Sequence, residues 1–201
     1  MIDEAVAAIH AGEPVILPTD TVYGLATTPH TADAVERLYR LKGREARQPT
    51  AVVAGSVDLL LECIPELDGP AATVARMLLP GPFTLVLPNP ARRFPWLAGE
   101  RPDTIGVRVP AVEGPGREVL QRVGVVVATS ANLPGGRDPR TLDDVPLEIR
   151  SGCAAIVDAG ELPGIASTVV DLTGAQPRVL REGAVRAEEA LARVGAARRP
   201  S

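Results

Sequence analysis

Apolar residues recur at helical spacing at Ile2, Val6 and Ile9 and stop before Gly12, and the apolar run of residues 14–17 follows at once. The chain is therefore expected to open with a helix feeding a short buried strand. A second helix is expected after Thr31, a candidate cap, with Val35, Leu38 and Tyr39 on one face, Lys42 in its last turn and Gly43 just beyond. Residues 50–54 read as a strand, Ser56 can cap a short helix ending before Pro65, and Pro70 suits the first turn of a helix with Val74, Met77 and Leu78 inward. Pro80-Gly81 halts that helix, and residues 83–87 form the next strand.

Residues 88–103 carry four prolines and the pair Arg92-Arg93, which predicts an irregular excursion over the surface with freedom to move. A strand over 104–109 and a helix over 117–123 follow. Val125-Val126-Val127-Ala128 is apolar enough for the centre of a sheet and opens directly onto Thr129-Ser130-Ala131-Asn132. Further strands are expected at 155–157, 168–172 and 178–180, with a closing helix over 184–194 that turns Ala187, Leu191 and Val194 inward. No internal repeat is visible. Helices alternate with early strands and later strands crowd together, so the fold class is α/β, a twisted mixed sheet with helices packed against it.

Composition narrows this picture. With 201 residues the chain suits one domain, and 45% hydrophobic with 23% charged residues excludes a disordered chain. A net charge of -4 and only five aromatics (Tyr23, Tyr39, Phe83, Phe94, Trp96) argue against a surface that grips nucleic acid broadly or stacks single-stranded bases. Met1-Ile2-Asp3-Glu4 is acidic and no run approaches the roughly 18 apolar residues of a membrane span, so a cytoplasmic protein is expected. Cys63 and Cys153 stand apart, without a CxxC and with only His10 and His30 as histidines; both cysteines are read as core residues and no metal site is expected.

Among 21 basic residues, twenty are arginine and only Lys42 is lysine. A chain that uses arginine wherever a cation will serve has kept one compact ammonium, which points to a site where a planar fork does not fit. Gly43 separates Lys42 from Arg44 and lets the chain turn out of the helix, so both cations can face one anion. A point charge beside a fork suits a polyphosphate. Ser130 and Asn132 follow the most apolar strand, ahead of Leu133-Pro134-Gly135-Gly136, where hydroxyl, amide and turn N–H groups can hold phosphate oxygens. Pro18-Thr19-Asp20-Thr21-Val22-Tyr23-Gly24-Leu25 can line a small polar pocket, and Ser167-Thr168 and Arg181-Glu182-Gly183 offer similar material. Each segment alone also reads as an ordinary helix end or polar turn.

Taken in order, PTDTVYGL, LKGR, PGPFTLVLP, IGVRVP, TSAN, STVVD and LREG resemble the YrdC/Sua5 family of L-threonylcarbamoyladenylate synthases, over residues 14 to about 186. The resemblance implies a YrdC-like fold in one domain spanning 1–201, of the short form without a further C-terminal domain. It implies ATP-dependent synthesis of threonylcarbamoyl-adenylate from L-threonine, bicarbonate and ATP, with release of pyrophosphate, for a tRNA adenosine modification. Magnesium is expected with the ATP. Hand-over of the product to a downstream tRNA threonylcarbamoyl-transfer complex is also implied, and any contact with tRNA itself is expected to be weak.

The family's Lys-x-Arg and Ser-x-Asn tetrad falls on Lys42, Arg44, Ser130 and Asn132, which are expected to be catalytic and to bind ATP, with Arg181 as a further nucleotide contact. Thr19, Tyr23, Arg108 and Ser167 are expected to line the threonine pocket, Arg108 facing the carboxylate. Three positions depart from the pattern. Glu45 stands where proline is usual, Gln48-Pro49-Thr50 where Lys-Pro-Leu is frequent, and Pro134 replaces a common serine. The second departure removes a cation from the expected phosphate pocket, which implies either weaker binding of ATP or substitution by Arg47. Two other readings stay open: a protein that binds double-stranded or transfer RNA without turnover, and a relative that adenylates carbamoyl groups.

Overall fold

The computed structural model describes residues 1–45 and 48–198. Helix α1 (Ile2–His10) leads into strand β1 (Val15–Pro18), and β2 (Tyr23–Thr27) returns beside it. Then come α2 (Ala32–Lys42), β3 (Ala51–Ala54), α3 (Val57–Cys63), α4 (Gly69–Leu78) and β4 (Phe83–Pro88). A single 3-10 turn at Pro95–Leu97 precedes β5 (Thr104–Arg108), α5 (Gly114–Val123) and β6 (Val125–Ser130). The chain continues through α6 (Leu147–Ser151), β7 (Ala155–Ile156), β8 (Thr168–Asp171), β9 (Arg178–Arg181) and α7 (Ala187–Ala197).

The strands form one mixed sheet in the order β7-β1-β2-β6-β3-β5-β4-β8-β9. Pairing is parallel at β1–β7, β3–β5 and β4–β8 and antiparallel elsewhere. Side-chain alternation divides the sheet into two faces. One face carries Leu25, Val52, Leu85, Val107, Val127 and Val170 under α2, α3, α4, α6 and α7. On the other, Val15, Leu17, Ala26, Val53 and Val126 pack against α1 and α5. Those two helices reach only the β1–β2–β6–β3 end. Over β5, β4 and β8 the same face carries Thr84, Val86, Gly106, Arg108 and Val169, and these residues floor a cavity instead of a core. Small residues at Gly24, Ala51, Gly106 and Ala128 deepen it.

Several expectations need correction. β2 lies where the sequence reads as a polar pocket-lining turn; the polar run Thr19-Asp20-Thr21 hides the short strand behind it. α6 was not foreseen either, because its Leu147 is 69% exposed and Ile149 alone is buried. Met77 and Leu191 point outward, 59% and 37% exposed. The inward stripe of α4 is set by Val74, Ala75 and Leu78, and that of α7 by Ala190, Val194 and Ala197, each about 100° around the helix from the misread residue. α7 begins at Ala187, where Glu182 accepts from the first N–H at 2.9 Å, three residues later than expected. Ser56 caps α3 as expected, accepting from Leu59 N at 3.1 Å, whereas the Thr31 side chain makes no cap bond. Cys63 and Cys153 are only partly buried, at the edge of the core.

The proline-rich segment 88–103 is pinned at several points. Asn89, 1% exposed, donates to Arg93 O and accepts from Arg93 N, both at 2.9 Å. Arg93 clasps Glu66 with two bonds of 2.5 and 2.8 Å. Trp96 Nε1 donates to Pro29 O at 3.0 Å, and Thr50 N donates to Leu97 O at 3.0 Å. Arg101 reaches Asp171 at 3.0 Å and Thr173 at 2.8 Å. Leu97, Ala98, Glu100 and Arg101 of this segment form one wall of the cavity.

Candidate active site

The cavity holds about 630 Å³. Its first wall comes from the end of α2. Gly43 adopts φ 65°, and its N–H and that of Arg44 donate back to Arg40 O and Tyr39 O, at 3.1 and 2.9 Å. This is the Schellman ending that a left-handed glycine permits, and it stops the helix so that the residues on either side of the glycine face the cavity.

Lys42 is 5% exposed. Its Nζ donates to Ser130 O at 2.7 Å and to Asn132 Oδ1 at 2.5 Å, contacts Asn132 O closely, and has Ser130 Oγ at 3.5 Å. Ser130 Oγ donates to Asn132 Oδ1 at 2.6 Å, and Asn132 Nδ2 donates to Gly136 O at 2.7 Å. One ammonium thus shapes the whole turn leaving β6. Burial pushes the Lys42 pKa down to about 8; Arg44 lowers it further and Asp138 opposes the fall.

Arg44 donates to Thr129 Oγ1 at 3.1 Å and to Pro49 O at 2.6 Å, and its guanidinium lies 5.9 Å from the centre of the Tyr39 ring. Burial lowers its pKa, Tyr39 opposes the fall and Arg181 adds to it. Arg181 donates to Ser167 O at 2.9 and 3.2 Å and to Ser167 Oγ at 3.2 Å, and Ser167 Oγ lies 2.8 Å from Thr84 Oγ1. Arg108, at the end of β5, is paired with Asp20 and donates to Thr21 Oγ1 at 2.7 Å. Buried Nε atoms of Arg44 and Arg108 have no partner among the described residues.

Lys42, Arg44, Ser130, Asn132, Arg181, Thr19, Arg108 and Ser167 all line this one cavity. Tyr23 does not. It is fully buried, and its hydroxyl lies 2.8 Å from both Asp158 Oδ1 and Gly160 O while accepting from Ala159 N at 3.0 Å. β2 turns the ring toward the core because Tyr23 and Leu25 share a face. Thr19 lines the cavity, but its hydroxyl donates to Val22 O at 2.7 Å and holds its own turn. Gln48 and Pro134, two of the departures from the family pattern, are lining residues too, whereas Arg47 lies outside the described residues.

Sequence reasoning missed the wall of Leu97, Ala98, Glu100 and Arg101, because its prolines read as a free loop. It also missed Thr129, the acceptor for Arg44, and Asp138, a carboxylate near Lys42. No group of three or more His, Cys, Asp or Glu able to hold a metal occurs among the described residues, and no helix among them is long and apolar enough to cross a membrane.

The family model Sua5_yciO_yrdC, described as telomere recombination, matches residues 7–183. A Mycobacterium tuberculosis protein is 36% identical over 188 residues, covering 93% of this chain and 86% of that protein. The threonylcarbamoyl-AMP synthase of Pyrococcus abyssi is 34% identical over 186 residues, 92% of this chain but 54% of that enzyme, so the chain spans about half its length. The solved P. abyssi Sua5 complexed with L-threonine superposes with a TM-score of 0.79 at 32% identity, over 96% of this chain and 57% of that one. Fold, motif order and relatives agree: the chain belongs to the Sua5/YciO/YrdC family.

Proposed function

We propose that this protein condenses L-threonine, bicarbonate and ATP into threonylcarbamoyl-adenylate and pyrophosphate. The observation that carries the reading is the convergence of Lys42, Arg44, Ser130 and Asn132, from positions 88 residues apart, on one cavity that also holds Arg108, Ser167 and Arg181. Relatives named threonylcarbamoyl-AMP synthase and a relative solved with L-threonine support it.

The chemistry asks for placement more than for a protein nucleophile. Bicarbonate dehydrates to carbon dioxide, the threonine amine adds to it and loses a proton, and the resulting carbamate oxygen attacks the α-phosphorus as the bond to pyrophosphate breaks. Holding carbamate and phosphate in line supplies up to about 7–11 kcal/mol. Each donor aimed at developing phosphate charge supplies about 3–4 kcal/mol. Lys42 and Arg44 would hold the carbamate and phosphate oxygens, with Ser130, Asn132 and the 133–136 turn amides seating the triphosphate. Arg181 would contact the nucleotide, and Arg108 the threonine carboxylate, with Thr19 and Ser167 beside it.

Magnesium would arrive with the triphosphate. It commonly needs only one or two protein carboxylates beside phosphate oxygens and water, and Asp138 and Glu100 in the lining fit that modest demand. The adenylate would be consumed by a tRNA threonylcarbamoyl-transfer complex. The RNA-binding alternative fits less well, since the cations converge inside a cavity instead of spreading over an open face.

Pyrophosphate release tests the reading. It should require ATP, L-threonine and bicarbonate together, and release without threonine would contradict it.

A further inference from the structure

The guanidiniums of the cavity are unevenly compensated. Of Arg44, Arg108 and Arg181, Arg108 alone pairs with a carboxylate among the described residues. Its NH2 group spends both N–H bonds on the turn before β2, one on Asp20 Oδ1 and one on Thr21 Oγ1 at 2.7 Å. The other oxygen of Asp20 accepts from Ala111 N at 3.0 Å, so the carboxylate is gripped from two sides. The side chains of Asp20 and Arg108 are only 10% and 11% exposed. A pair this far from water acts strongly on whatever binds beside it. Burial pushes the Arg108 pKa down, Asp20 opposes the fall and Arg181 adds to it, so the cations sense one another across the cavity.

An arginine already paired with a carboxylate attracts a polyanion weakly from a distance, yet still offers directed N–H bonds to one more carboxylate at contact. Lys42, Arg44 and Arg181 have no carboxylate paired with them among the described residues, and Asp138 acts on Lys42 only at a distance. Granting the assignment of threonine and triphosphate above, we propose that Asp20 is a specificity-determining positioning residue. Acting through Arg108, it fixes the guanidinium for a single carboxylate and makes that end of the cavity unattractive to the triphosphate. Discrimination of this kind needs a repulsive element as well as an attractive one, and Asp20 supplies it.

Calorimetric titration of the full chain with L-threonine and, separately, with tripolyphosphate tests this. Asp20→Asn keeps the shape but loses the charge: threonine should bind about tenfold more weakly and tripolyphosphate more tightly, by about threefold. Thr21→Val removes a neutral partner of the same NH2 group, so threonine should weaken while tripolyphosphate is unchanged. Circular dichroism establishes that each variant is folded, and Thr21→Val still decides the positioning role if Asp20→Asn is not. Threonine affinity unchanged in both variants, or threonine and tripolyphosphate weakened in parallel, would overturn the proposal. A wild-type chain that fails to bind threonine would remove the threonine assignment and this proposal together, whereas a wild type that binds with indifferent variants removes this proposal alone.

Discussion

The ammonium of Lys42 engages Asn132 twice, through Oδ1 at 2.5 Å and through the backbone carbonyl of the same residue. With Ser130 O at 2.7 Å as a third acceptor, all three N–H bonds of the ammonium are spent on one turn. Lys42 therefore organises the turn that leaves β6 and adds its charge to it, and any direct bond from Lys42 to a ligand displaces one of these contacts.

Lys42→Ala should cut pyrophosphate release by about 10²–10³-fold, the usual loss for a well-aimed charged donor. Lys42→Arg should be nearly as poor, because a planar fork cannot place its donors on oxygens clustered around one nitrogen. Steady-state kinetics on variants shown to be folded by circular dichroism check both, and full activity in Lys42→Arg would remove the need for a compact ammonium.

Titration of the same group gives a pH dependence of definite sign. Burial, with Arg44 assisting, holds the Lys42 pKa at about 8 against an ordinary value of 10.5. The ammonium is thus lost from the folded protein as pH rises through about 8, while the unfolded chain stays protonated up to 10.5. Between these values the unfolded state binds more protons, so this group's contribution to stability rises with pH while polyphosphate affinity falls. Tripolyphosphate titrated at pH 8.5 in buffers of different ionisation enthalpy should show proton uptake on binding, since an anion favours the ammonium.

Gln48 lines the cavity at a position where the family frequently has lysine. Gln48→Lys should tighten ATP binding by up to about fivefold at low salt, about 0.2–1 kcal/mol, with the gain fading as ionic strength rises. Calorimetry at two salt concentrations checks it.

Tyr23 serves the fold. Tyr23→Phe leaves Asp158 and the Ala159 N–H without the hydroxyl and should cost about 1–3 kcal/mol in urea unfolding. The KM for threonine should stay where it is.

Asp171 ties the proline-rich wall to β8. Burial alone would raise its pKa, but hydrogen bonds from Thr173 and Arg101 outweigh burial and hold it at about 2 against the ordinary 3.8. Its contribution to stability is present above pH 3.8 and is lost as pH falls toward 2. Asp171→Ala should abolish that acid-side dependence in pH-resolved unfolding and loosen Arg101 at the cavity rim.

Much of this was legible in the sequence because its signals are local. The helix ending at Lys42 announces itself through apolar spacing and Gly43, and the centre of the sheet through Val125-Val126-Val127. The single lysine and the Ser-x-Asn turn stand out in the sequence, and the fold brings the two segments together in one cavity. What stayed hidden depends on distant pairing. Nothing near Tyr23 reveals that Asp158 captures its hydroxyl from 135 positions away. Nothing in the prolines of 88–103 reveals that Glu66, Pro29 and Asp171 bond to that segment. The register of β2 decides the first, and long-range ion pairs decide the second.

Mass spectrometry of the products formed from ATP, L-threonine and 13C-bicarbonate tests the account most directly. It predicts threonylcarbamoyl-adenylate carrying one labelled carbon, absent with Lys42→Ala. Free AMP or ADP without any labelled adenylate, under conditions where the folded wild-type chain turns ATP over, would contradict it.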